Sequence, residues 1–280
     1  MKIKIAGRFF IFSMTLASVF QAFGCHPKLL YTEMEIGSFR SKNSGVELFF
    51  KTRSGQQSAF YIFPENNHRN LPEFLVIAYP GIGSRALDWK DIINHGRHPE
   101  TGFLLIDYPG RGNCEGLMRP KFLPDSTLGA LTALKDYLNI EQDHHFTSHL
   151  ILLGHSFGCA AALQIAPRMN PDRIVLIAPF TTLRKALFKK VGPLAWLNPD
   201  QMDNRQQLKE LCAQPNPPLI TIIHGTGDQS VPVEMGRELA TQSEGCVVYY
   251  EIKGADHGDI LKLSEELILK AILAELPEKP

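Results

Sequence analysis

Apolar residues in this chain are concentrated in short, nearly continuous runs that lie far apart in the sequence. Runs of this kind are typical of strands buried on both faces, as in a parallel sheet. Residues 46–51 and 59–63 flank a turn-rich segment and predict an initial strand pair. The later predicted strands are residues 74–78, 103–106, 150–153, 174–177, 219–223 and 246–250.

Helix-length stretches separate the later strands. The predicted helices are residues 84–95, 126–138, 157–168, 232–242 and 260–276. Alternation of strand and helix with right-handed crossovers predicts an α/β fold, with a mostly parallel central sheet of about eight strands and helices on both faces. Residues 181–217 are too long for an ordinary connection, and we expect them to form a short helical cap over the carboxyl edge of the sheet.

Length and composition are those of one globular domain. The chain has 280 residues, of which 44% are hydrophobic, so we place a single domain at residues 46–276, with the cap inserted at 181–217. Lys and Arg number 29, as do Asp and Glu. A balanced charge gives no reason to expect a nucleic-acid partner, and the sequence leaves the oligomeric state open.

The first residues have the pattern of an export signal. Lys2, Lys4 and Arg8 precede an apolar run at residues 9–23. This run is shorter than the roughly 20 residues of a membrane-spanning helix. We therefore assign residues 1–24 to a signal peptide and residues 25–45 to a linker.

The residues up to Cys25 resemble the lipobox of bacterial lipoproteins, although Phe23 is bulkier than the usual residue at its position. The resemblance implies that Cys25 is lipidated and that the mature protein associates with a membrane of the bacterial cell envelope, facing the periplasm or the cell surface. An ordinary cleaved signal and an uncleaved anchor or cytoplasmic chain are the alternatives.

The candidate nucleophile lies directly after a predicted strand. Gly154-His155-Ser156-Phe157-Gly158 follows residues 150–153 and opens the next helix, which is the context of a nucleophile elbow. The sharp turn leaves no room for a Cβ at Gly154 or Gly158, and it holds the Ser156 backbone in a strained region. The pattern alone is a modest signal, but its position between strand and helix strengthens it.

An acid and a histidine follow in the order that a serine triad requires. Asp228 comes after the strand at residues 219–223, and His257 comes after the strand at 246–250. We expect His257 to act as the general base and Asp228 to fix its tautomer. Asp256 and Asp259 are expected to be solvated loop carboxylates, and His224 to pack or hydrogen-bond locally.

Five segments in this order resemble the alpha/beta-hydrolase superfamily: the loop from Tyr79, the loop from Asp107, the Ser156 elbow, Asp228 and His257. The short cap is most similar to that of single-domain esterases, lipases and thioesterases. The resemblance implies acyl transfer to water without a cofactor. The loop from Asp107 resembles a family loop in which Ser is usual where Cys114 stands here, and we interpret it as structural.

The resemblance also implies two oxyanion donors. One is the backbone N–H of Phe157, at the N-terminus of the helix that follows the elbow. The other is the N–H of Ile82, in the loop Tyr79-Pro80-Gly81-Ile82-Gly83. Pro80 stands where the family commonly has a His that braces this loop, so the brace must come from elsewhere.

Metal binding has little support in the sequence. Cys114, Cys159, Cys212 and Cys246 form no cluster with metal-ligand spacing, and we expect them to be small buried residues, although a disulfide is not excluded. The neighbouring histidines 144, 145 and 149 lack a carboxylate partner at helical spacing. We therefore expect neither a metal nor a cofactor.

Three hypotheses for function follow from these residues. The first is a serine hydrolase that cleaves a carboxylic ester or thioester of a small-molecule or acyl-bearing substrate through an acyl-enzyme on Ser156. The second is a serine aminopeptidase or amidase. The third is a catalytically silent lipoprotein that binds a lipid or a partner. The sequence does not identify the substrate or its chain length.

Overall fold

The computed structural model describes residues 31–32, 35–36, 39, 45–65, 71–93, 98–141, 147–197 and 202–273. The predicted signal peptide and Cys25 lie outside these residues, as do His144 and His145. None of the helices in the described part of the chain is both long and apolar enough to cross a membrane.

The described residues contain one eight-stranded sheet. Its order is β1-β2-β4-β3-β5-β6-β7-β8. The strands are β1 (Gly45–Thr52), β2 (Gly55–Ile62), β3 (Phe74–Tyr79), β4 (Thr101–Ile106), β5 (His149–His155), β6 (Arg173–Ile177), β7 (Leu219–Gly225) and β8 (Val247–Ile252). Strand β1 pairs antiparallel with β2, and β2 pairs antiparallel with β4. All other neighbours are parallel, which confirms the predicted mostly parallel sheet.

Helices cover both faces of the sheet, as predicted. They are α1 (Lys90–Ile93), α2 (Leu123–Tyr137), α3 (Phe157–Met169), α4 (Leu183–Val191), α5 (Asn204–Cys212), α6 (Val233–Gln242), α7 (Ile260–Leu263) and α8 (Glu265–Leu273), with short 3-10 segments at Ala86–Trp89, Pro120–Phe122 and Gly192–Leu197. Side chains of β5 alternate between two cores: Leu152 packs into one, and Ile151 and Leu153 pack into the other. This double burial explains why the central strands are almost entirely apolar.

The cap predicted at residues 181–217 contains α4, the 3-10 segment Gly192–Leu197 and α5. An antiparallel bridge between Thr182 and Asp203 closes the first part of this segment, which contains α4 and the 3-10 segment, and α5 begins directly after the bridge. Each of these residues also caps a helix, because the Thr182 side chain accepts the N–H of Lys185 and the Asp203 side chain accepts those of Arg205 and Gln206. The chain therefore leaves the sheet after β6, forms α4 and the 3-10 segment, and returns to the bridge.

Several predicted element bounds differ from the structure, and two of these differences have a local polar cause. Strand β2 begins at Gly55 rather than at residue 59, because its polar start is paired with a neighbouring loop: Glu115 N–H donates to the Gln56 carbonyl, and Ser58 N–H donates to the Cys114 sulfur. The predicted helix 260–276 is divided into α7 and α8 at Ser264, whose hydroxyl donates to the Ile260 carbonyl. Local polar contacts of this kind leave no hydrophobic pattern in the sequence.

The four cysteines predicted to be unclustered and buried fall into two groups. Cys114 and Cys159 are free and buried. Cys212 at the end of α5 forms a disulfide with Cys246 before β8, across 34 residues of sequence. The disulfide therefore links the cap to the last strand of the sheet.

Replacing Cys212 and Cys246 together with Ser should lower the free energy of unfolding by about 3 to 4 kcal/mol, because the open loop gains conformational entropy in the unfolded chain. Urea unfolding of the oxidised wild type and the double variant measures the difference. Dithiothreitol should reduce the stability of the wild type and leave the variant unchanged. Equal sensitivity of both proteins to the reductant would contradict the link.

Candidate active site

The turn at Ser156 has the strained backbone expected of a nucleophile elbow. Its φ is 54° and its ψ is −113°, a combination that non-glycine residues rarely adopt. The Ser156 N–H donates to the carbonyl of Ile177 at the end of β6, at 2.8 Å. A Cβ on Gly154 would lie 2.5 Å from the carbonyl oxygen of Gly158, so the turn closes only with glycine there.

The loop after β3 packs directly against this turn. A Cβ on Gly158 would overlap the carbonyl oxygen of Tyr79 and would lie 2.8 Å from that of Pro80. A Cβ on Gly81 would lie 3.7 Å from the Cβ of Ser156. The predicted donor residues Ile82 and Phe157 therefore belong to two backbone segments in close contact beside Ser156.

Tyr108 braces the Pro80 loop through a hydrogen bond. Its hydroxyl donates to the Pro80 carbonyl at 2.6 Å, and its ring packs edge-on against Phe157 with centroids 5.5 Å apart. Tyr108 is buried within the Asp107 loop. The contact supports the predicted structural role of that loop, but no sequence pattern indicates it, because Tyr108 and Pro80 are distant in sequence.

Asp107 itself contributes to structure. Its carboxylate accepts the Ala86 N–H and the Tyr31 hydroxyl, both at 2.8 Å. Burial raises the pKa of the Asp107 carboxyl to about 6, although these two hydrogen bonds act in the opposite direction. The loop from Asp107 thus joins the chain at Tyr31 to the segment that follows the Pro80 loop.

The structure brings Ser156, His257 and Asp228 together. His257 Nε2 lies 3.0 Å from Ser156 Oγ, and His257 Nδ1 lies 2.6 Å from Asp228 Oδ2. Asp228 follows β7 and His257 follows β8, so the parallel register brings both to the edge where Ser156 lies. With Nδ1 protonated, Nε2 can accept the Ser156 proton, which is the arrangement needed for nucleophilic catalysis.

The second oxygen of Asp228 is held by the backbone. Oδ1 accepts the N–H groups of Ser230 and Val231, each at 2.8 Å. Burial by itself would raise the pKa of Asp228, but the neighbouring His224 and His257 side chains and the Val231 N–H lower it more, so the pKa lies below its usual range. The carboxylate is therefore ionised at neutral pH and orients His257.

His224 lies closer to the triad than the sequence analysis anticipated. It is fully buried, its Nε2 lies 2.9 Å from the Val231 carbonyl oxygen, and the same atom is 3.6 Å from Asp228 Oδ2. The first contact is the local hydrogen bond that was expected. The contact with Oδ2 places the His224 ring against Asp228, the candidate catalytic acid. In the sequence, only the spacing of four residues between His224 and Asp228 indicates this contact.

His155 was not singled out from the sequence, although it directly precedes the nucleophile. Its ring centroid lies 4.9 Å from that of His257. Burial, together with the adjacent His257, lowers the pKa of His155 to about 3. His155 is therefore neutral at physiological pH and packs beside His257 without adding a charge.

Among the residues that the structure describes, Asp256 and His149 form no hydrogen bond with the side chains of the candidate triad. The Asp256 carboxylate accepts the N–H groups of Gly258 and Asp259, and Asp256 is exposed. His149 stacks on Phe74 with ring centroids 4.8 Å apart. Within the described ranges, no three His, Cys, Asp or Glu side chains are grouped so that they could hold a metal ion.

Sequence comparison agrees with the fold. Residues 75–208 match the model of the alpha/beta hydrolase family. That segment includes the Pro80 loop, the Asp107 loop and the Ser156 elbow. The eight-stranded, mostly parallel sheet with helices around it is the alpha/beta-hydrolase fold.

Several individual proteins resemble this chain. An uncharacterized protein of Mycobacterium tuberculosis is 26% identical, over 84% of this chain and 80% of its own length. Alpha/beta hydrolase domain-containing protein 17B of Xenopus tropicalis is 24% identical over 84% of this chain, and the match spans 63% of that relative.

Solved structures share the same fold. An esterase of Pyrococcus furiosus superposes with a TM-score of 0.64, at 14% identity, over 89% of this chain and 96% of its own. A serine hydrolase without a lid from Xanthomonas campestris superposes with a TM-score of 0.54, at 16% identity, over 90% of this chain and 99% of its own.

Gly158→Ala should lower the free energy of unfolding by about 1 to 3 kcal/mol or more, because its Cβ would push the Tyr79 carbonyl away from the elbow. The rate at which a fluorophosphonate labels Ser156 should fall with it. Gly83→Ala, in the loop after β3, is the matched control, because the Cβ that it adds would have no heavy atom within 4 Å beyond its chain neighbours. Equal behaviour of the two variants would contradict the predicted close packing.

Proposed function

We propose that this protein is a serine hydrolase that cleaves a carboxylic ester or thioester through an acyl-enzyme on Ser156. The observation that supports this most strongly is the continuous contact from Ser156 Oγ through His257 to Asp228, with separations of 3.0 and 2.6 Å. The strained elbow and the backbone support of Asp228 are consistent with the same role, because each orients one member of the triad.

In the first half-reaction, Ser156 Oγ attacks the substrate carbonyl carbon and its proton passes to His257 Nε2. The carbonyl oxygen becomes an oxyanion, which the N–H groups of Phe157 and Ile82 stabilise in this proposal. The imidazolium then gives its proton to the departing alcohol or thiol. The bond to the leaving group breaks, and the acyl group remains on Ser156.

In the second half-reaction, His257 takes a proton from water, and the resulting hydroxide attacks the acyl carbon. The tetrahedral intermediate collapses, Ser156 regains its proton from His257, and the carboxylic acid leaves. Asp228 stays ionised throughout and stabilises the imidazolium in both steps. The low pKa of Asp228 is consistent with this role, because the carboxylate never needs to accept the proton.

Resemblance to known hydrolases supports ester or thioester hydrolysis. Structural neighbours of this chain include proteins described as esterases and as a serine hydrolase without a lid. The match of residues 75–208 to the alpha/beta hydrolase family supports a hydrolase more generally. Fold alone cannot select the substrate, because many chemistries share it.

Ser156→Ala should reduce hydrolysis by roughly a millionfold, because it removes the nucleophile and leaves only binding and the oxyanion donors. The assay is turnover of p-nitrophenyl esters of graded chain length, with a thioester and a peptide anilide in parallel. Ser148→Ala is the control, since Ser148 is exposed and lies at the opposite end of β5 from the elbow.

The outcomes of this assay are distinct. Loss of ester or thioester turnover in Ser156→Ala, with turnover retained in Ser148→Ala, supports the proposal. The ester chain length that is hydrolysed fastest then indicates the size of the acyl-binding site. A loss below about tenfold would exclude Ser156 as the nucleophile. Faster turnover of the anilide than of the esters would favour an amidase, and no labelling of wild-type Ser156 by a fluorophosphonate would favour a binding protein.

We further propose that the protein is exported and held at a bacterial envelope membrane by a lipid on Cys25. The support is the charged, apolar and lipobox-like order of residues 1–25. Two or more acyl chains give stable anchoring, which one chain alone does not.

Metabolic labelling with a palmitate analogue should mark the wild-type protein, and Cys25→Ala should abolish the label and release the protein from the membrane fraction. Cys114→Ala is the control, because Cys114 is buried in the folded domain. Retention of the label in Cys25→Ala would refute lipidation at this position.

A further inference from the structure

A groove lies within the segment from residue 182 to residue 205. It encloses about 340 Å³, a volume at the small end of the range for ligand sites. Among the described residues, its walls come from positions 182–205 and include Arg184, Lys185, Phe188, Trp196, Asp203 and Arg205. No member of the Ser156 triad lines it, so the groove is a separate site.

Two aromatic side chains form an open apolar wall. Trp196 is 65% exposed and Phe188 is 49% exposed, although large aromatic residues are usually more buried. The Arg184 guanidinium lies over the Trp196 ring, 4.5 Å from its centroid. The groove therefore presents an apolar surface and a cation side by side.

Charge pairing distinguishes Arg184 from the other cations of the groove. Lys185 contacts Glu238, and Arg205 forms a two-point contact with Asp203. Arg184 has no acidic partner in the described part of the chain, and its buried Nε has no hydrogen-bond acceptor there. A guanidinium without a carboxylate partner can form charge-assisted hydrogen bonds to an incoming anion, so this position favours one.

The groove is connected to the loop that carries the candidate catalytic acid. Lys189, on the same helix as Arg184, donates from Nζ to the carbonyl of Gln229 at 2.7 Å. Gln229 directly follows Asp228 in sequence. A ligand in the groove would thus contact a helix that is hydrogen-bonded to the triad's own loop.

We propose that the cap groove binds one anionic amphiphile, with its carboxylate or phosphate on Arg184 and its hydrocarbon chain on Trp196 and Phe188. A guanidinium fork matches the two oxygens of either anion, and an aromatic wall matches an alkyl chain. The proposal goes beyond the hydrolase activity and does not depend on it, since binding requires no reaction at Ser156.

The chain contains its own reporter for this binding. It has two tryptophans, of which Trp89 is buried and Trp196 lines the groove. Dodecyl phosphate, kept below its critical micelle concentration, is titrated into full-length Ser156→Ala protein while tryptophan fluorescence and heat are recorded. We expect a saturable fluorescence change that Trp196→Phe abolishes, with calorimetry still detecting the ligand.

Arg184→Gln should weaken binding of dodecyl phosphate by about tenfold or more, because it removes a charged hydrogen-bond donor. The affinity of Arg184→Lys for dodecyl phosphate should lie between those of the wild type and Arg184→Gln, because Lys keeps the positive charge but lacks the two-pronged guanidinium. Arg168→Gln is the matched control, an exposed arginine on α3 outside the groove. Unchanged thermal unfolding of each variant, measured in parallel, separates a lost contact from a lost fold.

Three further ligands test the two halves of the proposal and the source of the anion. Dodecanol and inorganic phosphate should each bind at least tenfold more weakly than dodecyl phosphate. If dodecanol or inorganic phosphate bound as tightly as dodecyl phosphate, a site that recognises both the anion and the alkyl chain would be excluded. An unchanged affinity of Arg184→Gln for dodecyl phosphate would also contradict the proposal. Binding to phosphatidylglycerol vesicles without binding to monomeric dodecyl phosphate would also overturn it, and would indicate a membrane-contacting surface instead.

Discussion

Close backbone contact between the Ser156 turn and the Pro80 loop is the constraint on which the site depends. The two segments end neighbouring parallel strands, β5 and β3, and they meet where Gly158 would otherwise carry a Cβ. This contact sets the position of the candidate nucleophile relative to both predicted oxyanion donors. It also accounts for the Tyr108 hydroxyl on the Pro80 carbonyl, because a loop held this close needs its buried carbonyl oxygens satisfied.

Charge at the site is arranged so that one histidine can change protonation while its surroundings do not. Asp228 keeps its negative charge through backbone N–H groups and neighbouring rings, despite its burial. His155 stays neutral because burial disfavours its charged form. In the proposed reaction, His257 gains and then loses a proton, while the neighbouring Asp228 stays ionised and the neighbouring His155 stays neutral. A preorganised environment of this kind lowers the cost of forming the imidazolium.

The segment predicted as a cap is attached at two points and carries exposed side chains between them. The bridge between Thr182 and Asp203 closes the part that contains α4, and the disulfide from Cys212 links the end of α5 to the residue before β8. Between these points, aromatic side chains stay exposed beside Arg184. An exposed insertion of this kind can change without disturbing the buried strands that position the candidate triad.

The alternation of apolar runs and helix-length stretches was enough to predict the sheet, because strands buried on both faces must be apolar throughout. Glycines around Ser156, followed by Asp228 and His257 after the right strands, predicted which residues would meet, because parallel strands end at one edge. The start of β2 and the break at Ser264 escaped prediction, since polar contacts set both.

Tertiary structure alone decided the contacts between residues that are distant in sequence. These include Tyr108 on Pro80, His155 beside His257, the pairing of Cys212 with Cys246, and the absence of an acidic partner for Arg184 within the described residues. Each depends on distances across the fold that no local pattern encodes. The sequence by itself therefore determined the framework and the three candidate catalytic residues, whereas packing decided what braces them and what the cap can bind.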